Sequence, residues 1–152
     1  PRLFPEQIAW IINHAEDKVL FLDTTFVPIV EKIAPLLKTV ETYVILTDRA
    51  HMPASFSVPY ISYEEFIEGQ PESAEWGGFD ENTACGLCYT SGTTGDPKGV
   101  LYSHRSNVIH AMAANSVDCF GAGANDVVLP VVPMFHANAW AIAFVAPRVG
   151  AK

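Results

Sequence analysis

The stretch Tyr89-Thr90-Ser91-Gly92-Thr93-Thr94-Gly95-Asp96-Pro97-Lys98-Gly99-Val100 brings together four aliphatic hydroxyls, three glycines and one lysine. Glycine tolerates the positive φ angles that a concave nest of backbone N–H groups requires. The hydroxyls add hydrogen-bond donors, and Lys98 adds a mobile positive charge. This combination is typical of a loop that binds a polyphosphate.

The loop differs from a Walker A motif, in which Gly-Lys is followed by Ser or Thr at the start of a helix. Here Lys98 precedes Gly99, and Val100 to Tyr102 has the pattern of a strand. We therefore expect the phosphate in a hairpin-like nest instead of at a helix N-terminus. The alternative is a flexible turn without a ligand, which the Pro97-Lys98-Gly99 ending disfavours.

Length and composition narrow the class of protein. A chain of 152 residues with 49% hydrophobic residues can form one domain with a core. The net charge of −8 argues against nucleic acid or an anionic membrane surface as the main partner. The sequence contains no signal peptide and no apolar run long enough to span a bilayer. We expect a cytoplasmic protein.

Three cysteines support this expectation. The pair Cys85 and Cys88 has the spacing of a zinc ribbon, but no second pair accompanies it. We expect these two residues and Cys119 to be buried, reduced thiols.

Strand-like and helix-like segments alternate, which predicts an α/β fold with a mostly parallel sheet and helices on both faces. The pattern predicts a helix from Pro5 and loop-like backbone over 48–60. The predicted strands are 19–22, 43–46, 85–89, 100–102 and 127–132. The other predicted helices are one capped by Asp23 or Thr24, one capped by Ser62 with Glu65, one capped by Ser103 and one over 138–149. The residues of the Ser103-capped helix that we expect to point inward are Val108, Ile109, Met112, Ala113 and Val117.

Two segments, Thr90 to Lys98 and Met134 to Trp140, each follow a predicted strand and are expected to meet at one edge of the sheet. On residue type alone, His136 is a satisfied turn histidine and Trp140 is core filler. His104 and His110 are six residues apart on one helix, so they lie on different faces and cannot form a metal pair.

The loop over 89–100 resembles the signature loop of the adenylate-forming (AMP-binding) superfamily. Pro133-Met134-Phe135-His136-Ala137-Asn138-Ala139-Trp140 resembles a His-containing motif of its fatty-acyl-CoA synthetases, and the opening residues 1–8 are similar to that subfamily. The resemblance covers the whole chain. It implies that residues 1–152 are an internal, incomplete part of the N-terminal adenylation domain, with the phosphate loop at 89–100 and the C-terminal domain absent.

The resemblance also implies an activity. The parent enzyme would activate an aliphatic carboxylic acid with ATP as acyl-AMP and then transfer the acyl group to coenzyme A. His136 would be catalytic, Trp140 would gate the acyl pocket, and Thr90 would help to hold Mg²⁺. The implied nucleotide-binding residues are Thr90, Ser91, Gly92, Thr93, Thr94, Gly95 and Lys98.

Elements that the family uses for adenine, ribose and the catalytic lysine have no counterpart in this sequence. We therefore expect the 152-residue chain to be inactive alone, and to self-associate through surface that the remainder of the parent would cover. Two alternatives remain open: a non-catalytic phosphate- or nucleotide-binding module, and a folded remnant that binds nothing.

Overall fold

A computed structural model describes residues 3–55, 57–90 and 95–152, with only the backbone described at Asn138. The chain forms two compact units. The first comprises Pro1–Trp76 with Thr93–Pro97, and the second comprises Gly77–Gly92 with Lys98–Lys152. The first unit contains thirteen acidic and five basic residues, whereas the second contains four of each. The whole negative charge of the protein therefore belongs to the first unit.

The first unit is built on a parallel sheet with the strand order β1-β2-β3. Its strands are β1 (Val19–Leu22), β2 (Thr42–Ile45) and β3 (Tyr60–Ser62). Its helices are α1 (Pro5–Ala15), α2 (Val27–Ile33) and α3 (Tyr63–Ile67), with 3₁₀ turns at Thr24–Phe26, Ala34–Leu36 and Arg49–His51. This parallel sheet with its helices confirms the predicted α/β class.

Local signals explain most boundaries in the first unit. Pro5 occupies the first turn of α1, where its missing N–H is not needed. The Asp23 carboxylate accepts a hydrogen bond from the Thr25 N–H (2.8 Å) and caps the turn before α2. Val44 and Ile45 on the central strand β2 are fully buried, as expected for a strand covered on both faces. The core of this unit therefore lies around β2.

The sequence did not predict β3, because Pro53 and Pro59 made residues 48–60 look like a loop. In the structure Tyr60, Ile61 and Ser62 pair in parallel with Tyr43, Val44 and Ile45. Three residues are too few to show an alternating pattern, so this strand is defined by its neighbour.

The second unit contains an antiparallel hairpin of β4 (Ala84–Tyr89) and β5 (Gly99–Ser103). The chain continues into α4 (His104–Ala114), the short turn α5 (Ala137–Trp140) and α6 (Ile142–Val149). Ser103 caps α4 as predicted, because its hydroxyl accepts a hydrogen bond from the Ser106 N–H (3.1 Å). Ala111 and Ala114 of α4 are buried together with Val145 of α6.

Among the predicted strands and helices of the second unit, two predictions are wrong and one is only partly correct. Segment 127–132 is not a strand. The helix predicted over 138–149 is present as α6 from Ile142, but it is broken at Ala141, where φ is 64°. The predicted inward residues of α4 are largely exposed, and small Ala111 and Ala114 are buried instead. For segment 127–132 and for the predicted inward face of α4, the apolar pattern predicted burial, but the described residues supply no partner to cover them.

Segment 127–132 nevertheless begins a parallel pairing. The Lys152 N–H donates to the Asp126 carbonyl (3.0 Å), and the Val128 N–H donates to the Lys152 carbonyl (2.6 Å). These two bonds place Lys152 opposite Val127 in the pattern of a parallel ladder. Residues 137–149 lie in the chain between the two residues that these bonds pair. Within the described ranges, no helix is long and apolar enough to cross a membrane.

Candidate functional site

The loop predicted to bind phosphate is closed by Thr90 and Lys98, the residues that directly follow β4 and precede β5. The Thr90 N–H donates to the Lys98 carbonyl (3.0 Å), and the Lys98 N–H donates to the Thr90 hydroxyl oxygen (3.1 Å). Tyr89 lies opposite Gly99 in the ladder below them. The predicted hairpin is therefore correct, and its loop is closed by one backbone–backbone hydrogen bond and one bond to the Thr90 side chain.

Gly99 allows the two strands of this hairpin to pack closely. A Cβ atom on Gly99 would lie 3.1 Å from the Leu87 Cδ1 atom and 3.4 Å from the Tyr89 ring. That spacing is tighter than ordinary van der Waals contact, so a larger residue would push the side chains of β4 aside. The glycine after Lys98 thus has a packing role in addition to any role in the loop.

The loop itself is only partly described. Ser91, Gly92, Thr93 and Thr94, all predicted to bind nucleotide, lie outside the described residues. Gly95 has a φ of 146°, a conformation that favours glycine, and Asp96 and Lys98 are exposed. The second unit, to which Lys98 belongs, carries no net charge. The charge of that unit therefore does not repel a phosphate from the Lys98 ammonium.

Thr90 is the predicted metal ligand. Its hydroxyl oxygen already accepts one hydrogen bond from Lys98 N–H, which leaves one lone pair for a cation. Over the described part of the chain, no group of three or more His, Cys, Asp or Glu residues could hold a metal ion. A Mg²⁺ ion at Thr90 fits this donor set only if nucleotide phosphates supply the other oxygen ligands.

Trp140, the predicted acyl gate, lies in a strained turn. Ala137, Ala139, Trp140 and Ala141 all have positive φ angles, between 46° and 64°. For residues other than glycine, this conformation costs about 1–2 kcal/mol each. Ala139 and Ala141 are buried, whereas Trp140 is 54% exposed. The turn therefore holds the indole ring at the surface of the second unit while its neighbours anchor the backbone.

Trp140 lines a cavity of about 790 Å³ within the second unit. The cavity lies between α4 on one side and α5 with the start of α6 on the other. Most of its lining is aromatic or alanine. The lining residues are Tyr102, Ser106, Asn107, His110, Ala113, Ala114, Cys119, Phe120, Ala137, Trp140, Ala141 and Phe144.

His136, the predicted catalytic histidine, is exposed and is not part of this lining. It lies in a turn in which its N–H donates to the Pro133 carbonyl (3.0 Å) and its own carbonyl accepts from the Ala139 N–H (3.0 Å). The common sheet edge expected for the loop and the His136 segment is not formed by the described residues. The loop connects the two antiparallel strands β4 and β5, and the His136 segment follows 127–132, which is not a strand.

His104 and His110 lie on different faces of α4, as predicted. His110 lines the cavity beside Trp140, whereas His104 contacts Phe79 and lines a separate cavity of about 460 Å³ with Cys85 and Arg148. The sequence predicted no role for His110, because its spacing from His104 excludes a metal pair. The spacing of Ser106, His110 and Ala113 on one face of α4 was the signal that could have identified it.

The cysteines are free thiols, but their predicted burial is wrong. Cys85 and Cys119 are exposed and Cys88 is half-buried. The Cys85 sulfur accepts a hydrogen bond from the Asn107 side-chain amide (2.9 Å). The β4 face that carries Cys85 is therefore only partly covered.

Comparison with known proteins places this chain in a family. The sequence model described as AMP-binding enzyme matches residues 1–152. The chain is 52% identical over 150 residues to 3-methylmercaptopropionyl-CoA ligase of Ruegeria pomeroyi, covering 99% of this chain and 28% of the relative. It is 51% identical over 153 residues to medium-chain-fatty-acid–CoA ligase of Ectopseudomonas oleovorans, covering 100% of this chain and 28% of the relative.

A solved structure, an anthranilate CoA ligase in complex with anthranoyl-AMP, matches with a TM-score of 0.78 and 25% identity, covering 99% of this chain and 28% of that one. The chain thus spans little more than a quarter of the length of these proteins. The match of the family model extends over every residue, including the closed hairpin and the turn that carries Trp140. The chain belongs to the AMP-binding enzyme family.

Proposed function

We propose that residues 1–152 are part of the N-terminal adenylation domain of an acyl-CoA synthetase that acts on an aliphatic carboxylic acid. The observation that carries this proposal is the hairpin closed by Thr90 and Lys98 in a chain that belongs throughout to the AMP-binding enzyme family. Relatives about 50% identical are named as CoA ligases of fatty acids and of a thioether acid, which supports the substrate class.

The proposed reaction has two halves. A carboxylate oxygen of the acid bonds to the α-phosphorus of ATP, and the bond from that phosphorus to the pyrophosphate oxygen breaks. The thiol of coenzyme A then loses its proton and attacks the acyl carbon, and AMP leaves. The chain's own contribution is to the first half, where the loop would bind the β- and γ-phosphates and stabilise the leaving charge by positioned donors.

Individual residues have distinct roles in this proposal. Lys98 provides a positive charge at the base of the loop, and the Thr90 hydroxyl would hold Mg²⁺ together with phosphate oxygens. Bound Mg²⁺ would neutralise part of the phosphate charge. His136, exposed in its turn, would orient the carboxylate of the acid. Trp140 would control entry to the cavity between α4 and α6.

Two further features belong to the proposal. Three free thiols support a cytoplasmic location for the parent enzyme. Exposed apolar side chains in the second unit support self-association of the 152-residue chain.

The two half-reactions can be tested separately in the full-length enzyme. We expect Lys98→Ala, and Ala at Thr93 or Thr94, to slow acid-dependent ATP–pyrophosphate exchange by roughly tenfold to a hundredfold, because each removes a phosphate donor. The Lys98 effect should weaken at high salt, since the side chain is exposed. Lys32→Ala, an exposed lysine of α2, is the matched control and should leave both halves unchanged.

Thioester formation from preformed acyl-AMP should change little in these variants, because pyrophosphate has already left. Equal losses in both halves would show that the loop supports the fold instead of the leaving group. Pyrophosphate binding without any acid-dependent exchange would favour a non-catalytic phosphate-binding module.

A further inference from the structure

The cavity beside Trp140 has a polar and an apolar end. On its α4 side, Ser106, Asn107 and His110 line the half nearer the helix N-terminus, and Ala113 and Ala114 line the other half. These positions are three to four residues apart, so they form one stripe along the helix. A purely aliphatic chain would match only the alanine half and the aromatic wall opposite.

Most polar groups at this end are already engaged. The Ser106 hydroxyl donates to the Ser103 carbonyl (2.9 Å), and the Asn107 amide donates to the Cys85 sulfur (2.9 Å). Within the described ranges, the His110 imidazole and the Tyr102 hydroxyl make no hydrogen bond, although both residues line the cavity. His110 lies at the junction of the polar and alanine halves of the stripe. One ring nitrogen of a neutral imidazole donates and the other accepts, so it can pair with either kind of group on a ligand.

We propose that His110 is a specificity-determining residue that favours carboxylic acids whose chain carries a hydrogen-bonding substituent, such as a hydroxyl. This inference rests on the proposed function, because it takes the cavity beside Trp140 to hold the acyl chain. The substituent of a substituted acid forms a hydrogen bond with the imidazole. An unsubstituted chain displaces water from the imidazole and forms no hydrogen bond in its place. His110 is exposed in the 152-residue chain, so leaving the imidazole unpaired should cost no more than about the value of one neutral hydrogen bond.

The test uses the full-length enzyme and compares octanoic acid with hydroxyoctanoic acids that carry the hydroxyl at different carbons. The readout is the ratio of kcat/KM values for the two kinds of acid within each variant, because misfolding would lower both values together. We expect His110→Leu to shift this ratio towards octanoic acid by about fivefold to tenfold, the value of one neutral hydrogen bond. The change should appear mainly in KM, and His110→Gln should retain most of the wild-type ratio.

Two other variants serve as comparisons. His104→Leu makes the same substitution at a position of α4 that does not line this cavity, and its ratio should equal that of the wild type. Tyr102→Phe removes the other unengaged hydroxyl of the lining and should also leave the ratio unchanged. An unchanged ratio in His110→Leu, or a shift in Tyr102→Phe alone, would overturn the assignment to His110 while leaving the ligase function intact. Failure of the wild-type enzyme to activate any acid would overturn the proposed function and this inference with it.

Discussion

At the scale of single residues, the turn around Trp140 could not be predicted from sequence. Alanine and tryptophan favour right-handed helix, and the apolar pattern of 138–149 predicted one continuous helix. The observed positive φ angles at Ala137, Ala139, Trp140 and Ala141 contradict local preference. Strain of this kind persists only where surrounding packing compensates for it, and it is concentrated at functional sites. The buried side chains of Ala139 and Ala141 provide such packing.

Replacing Ala137 by glycine tests this strain. Ala137 is exposed and has a φ of 46°, so glycine should relieve about 1–2 kcal/mol while adding about 0.5–1 kcal/mol of unfolded-state entropy. We expect a net stabilisation of up to about 1 kcal/mol. Urea unfolding followed by Trp140 fluorescence, with Trp10 and Trp76 replaced by Phe in every variant, measures it. Ala143→Gly inside α6 is the control and should destabilise by about 0.5–1 kcal/mol. A similar loss in both variants would contradict the left-handed turn.

At the scale of elements, the sequence predicted the helix starts and the hairpin, which depend on residues that lie close together in the chain. Pro5, Asp23, Ser62 and Ser103 marked helix or turn starts that the structure contains. The hairpin around the phosphate loop followed from two apolar runs separated by glycine-rich residues. By contrast, β3 and segment 127–132 depend on pairing with distant residues. Pairing stabilises the three residues of β3, whereas six apolar-rich residues at 127–132 remain outside a sheet.

The capping box of α3 gives the first unit a pH-dependent contribution to stability. The backbone N–H and the hydroxyl of Ser62 hydrogen-bond to the Glu65 carboxylate (2.9 and 2.7 Å) and lower the pKa of Glu65 from its ordinary value of 4.5. The unfolded chain therefore binds this proton more tightly than the folded chain. The contribution is complete above pH 4.5 and is lost as the pH falls through the lowered pKa of the folded state.

Ser62→Ala should consequently destabilise the first unit by about 1 kcal/mol at neutral pH, because Ser62 also caps the helix. The difference from wild type should shrink below pH 4.5, where the carboxylate is neutralised. Glu65→Gln keeps an acceptor oxygen without the charge, so its stability should vary less over this range. Thermal unfolding from pH 7 to pH 3 provides the comparison. A constant difference between wild type and Ser62→Ala at every pH would contradict the role of the Glu65 charge.

At the scale of the whole molecule, the second unit exposes many large apolar residues. Alternate residues of one segment, Val127, Leu129 and Val131, are 78%, 83% and 87% exposed. Val108, Ile109 and Met112 on α4 are each at least half exposed. This chain covers 28% of the length of its family relatives, so their further residues have the length to cover such a surface. Sequence patterns identified these residues as apolar but could not show that the described residues leave them exposed.

We therefore expect the 152-residue chain to self-associate with increasing concentration. Soluble monomers rarely expose contiguous apolar patches above a few hundred Å², and an exposed apolar segment at the edge of a structure favours edge-to-edge pairing. Sedimentation velocity over a range of concentrations measures this association. Val127→Thr, Leu129→Lys and Val131→Thr together should reduce it strongly, because they remove the apolar side chains and add a charge that opposes pairing.

Trp76→Ser is the matched control, since Trp76 is 91% exposed but belongs to the acidic first unit. Removing this single side chain should leave the association unchanged, because like charges on that unit oppose contact between copies. The longer enzyme should not associate through segment 127–132, and its Val128 amide should exchange with solvent more slowly than in the 152-residue chain. A 152-residue chain that stays monomeric at every concentration, or association abolished by Trp76→Ser alone, would show that this apolar segment is not the contact surface.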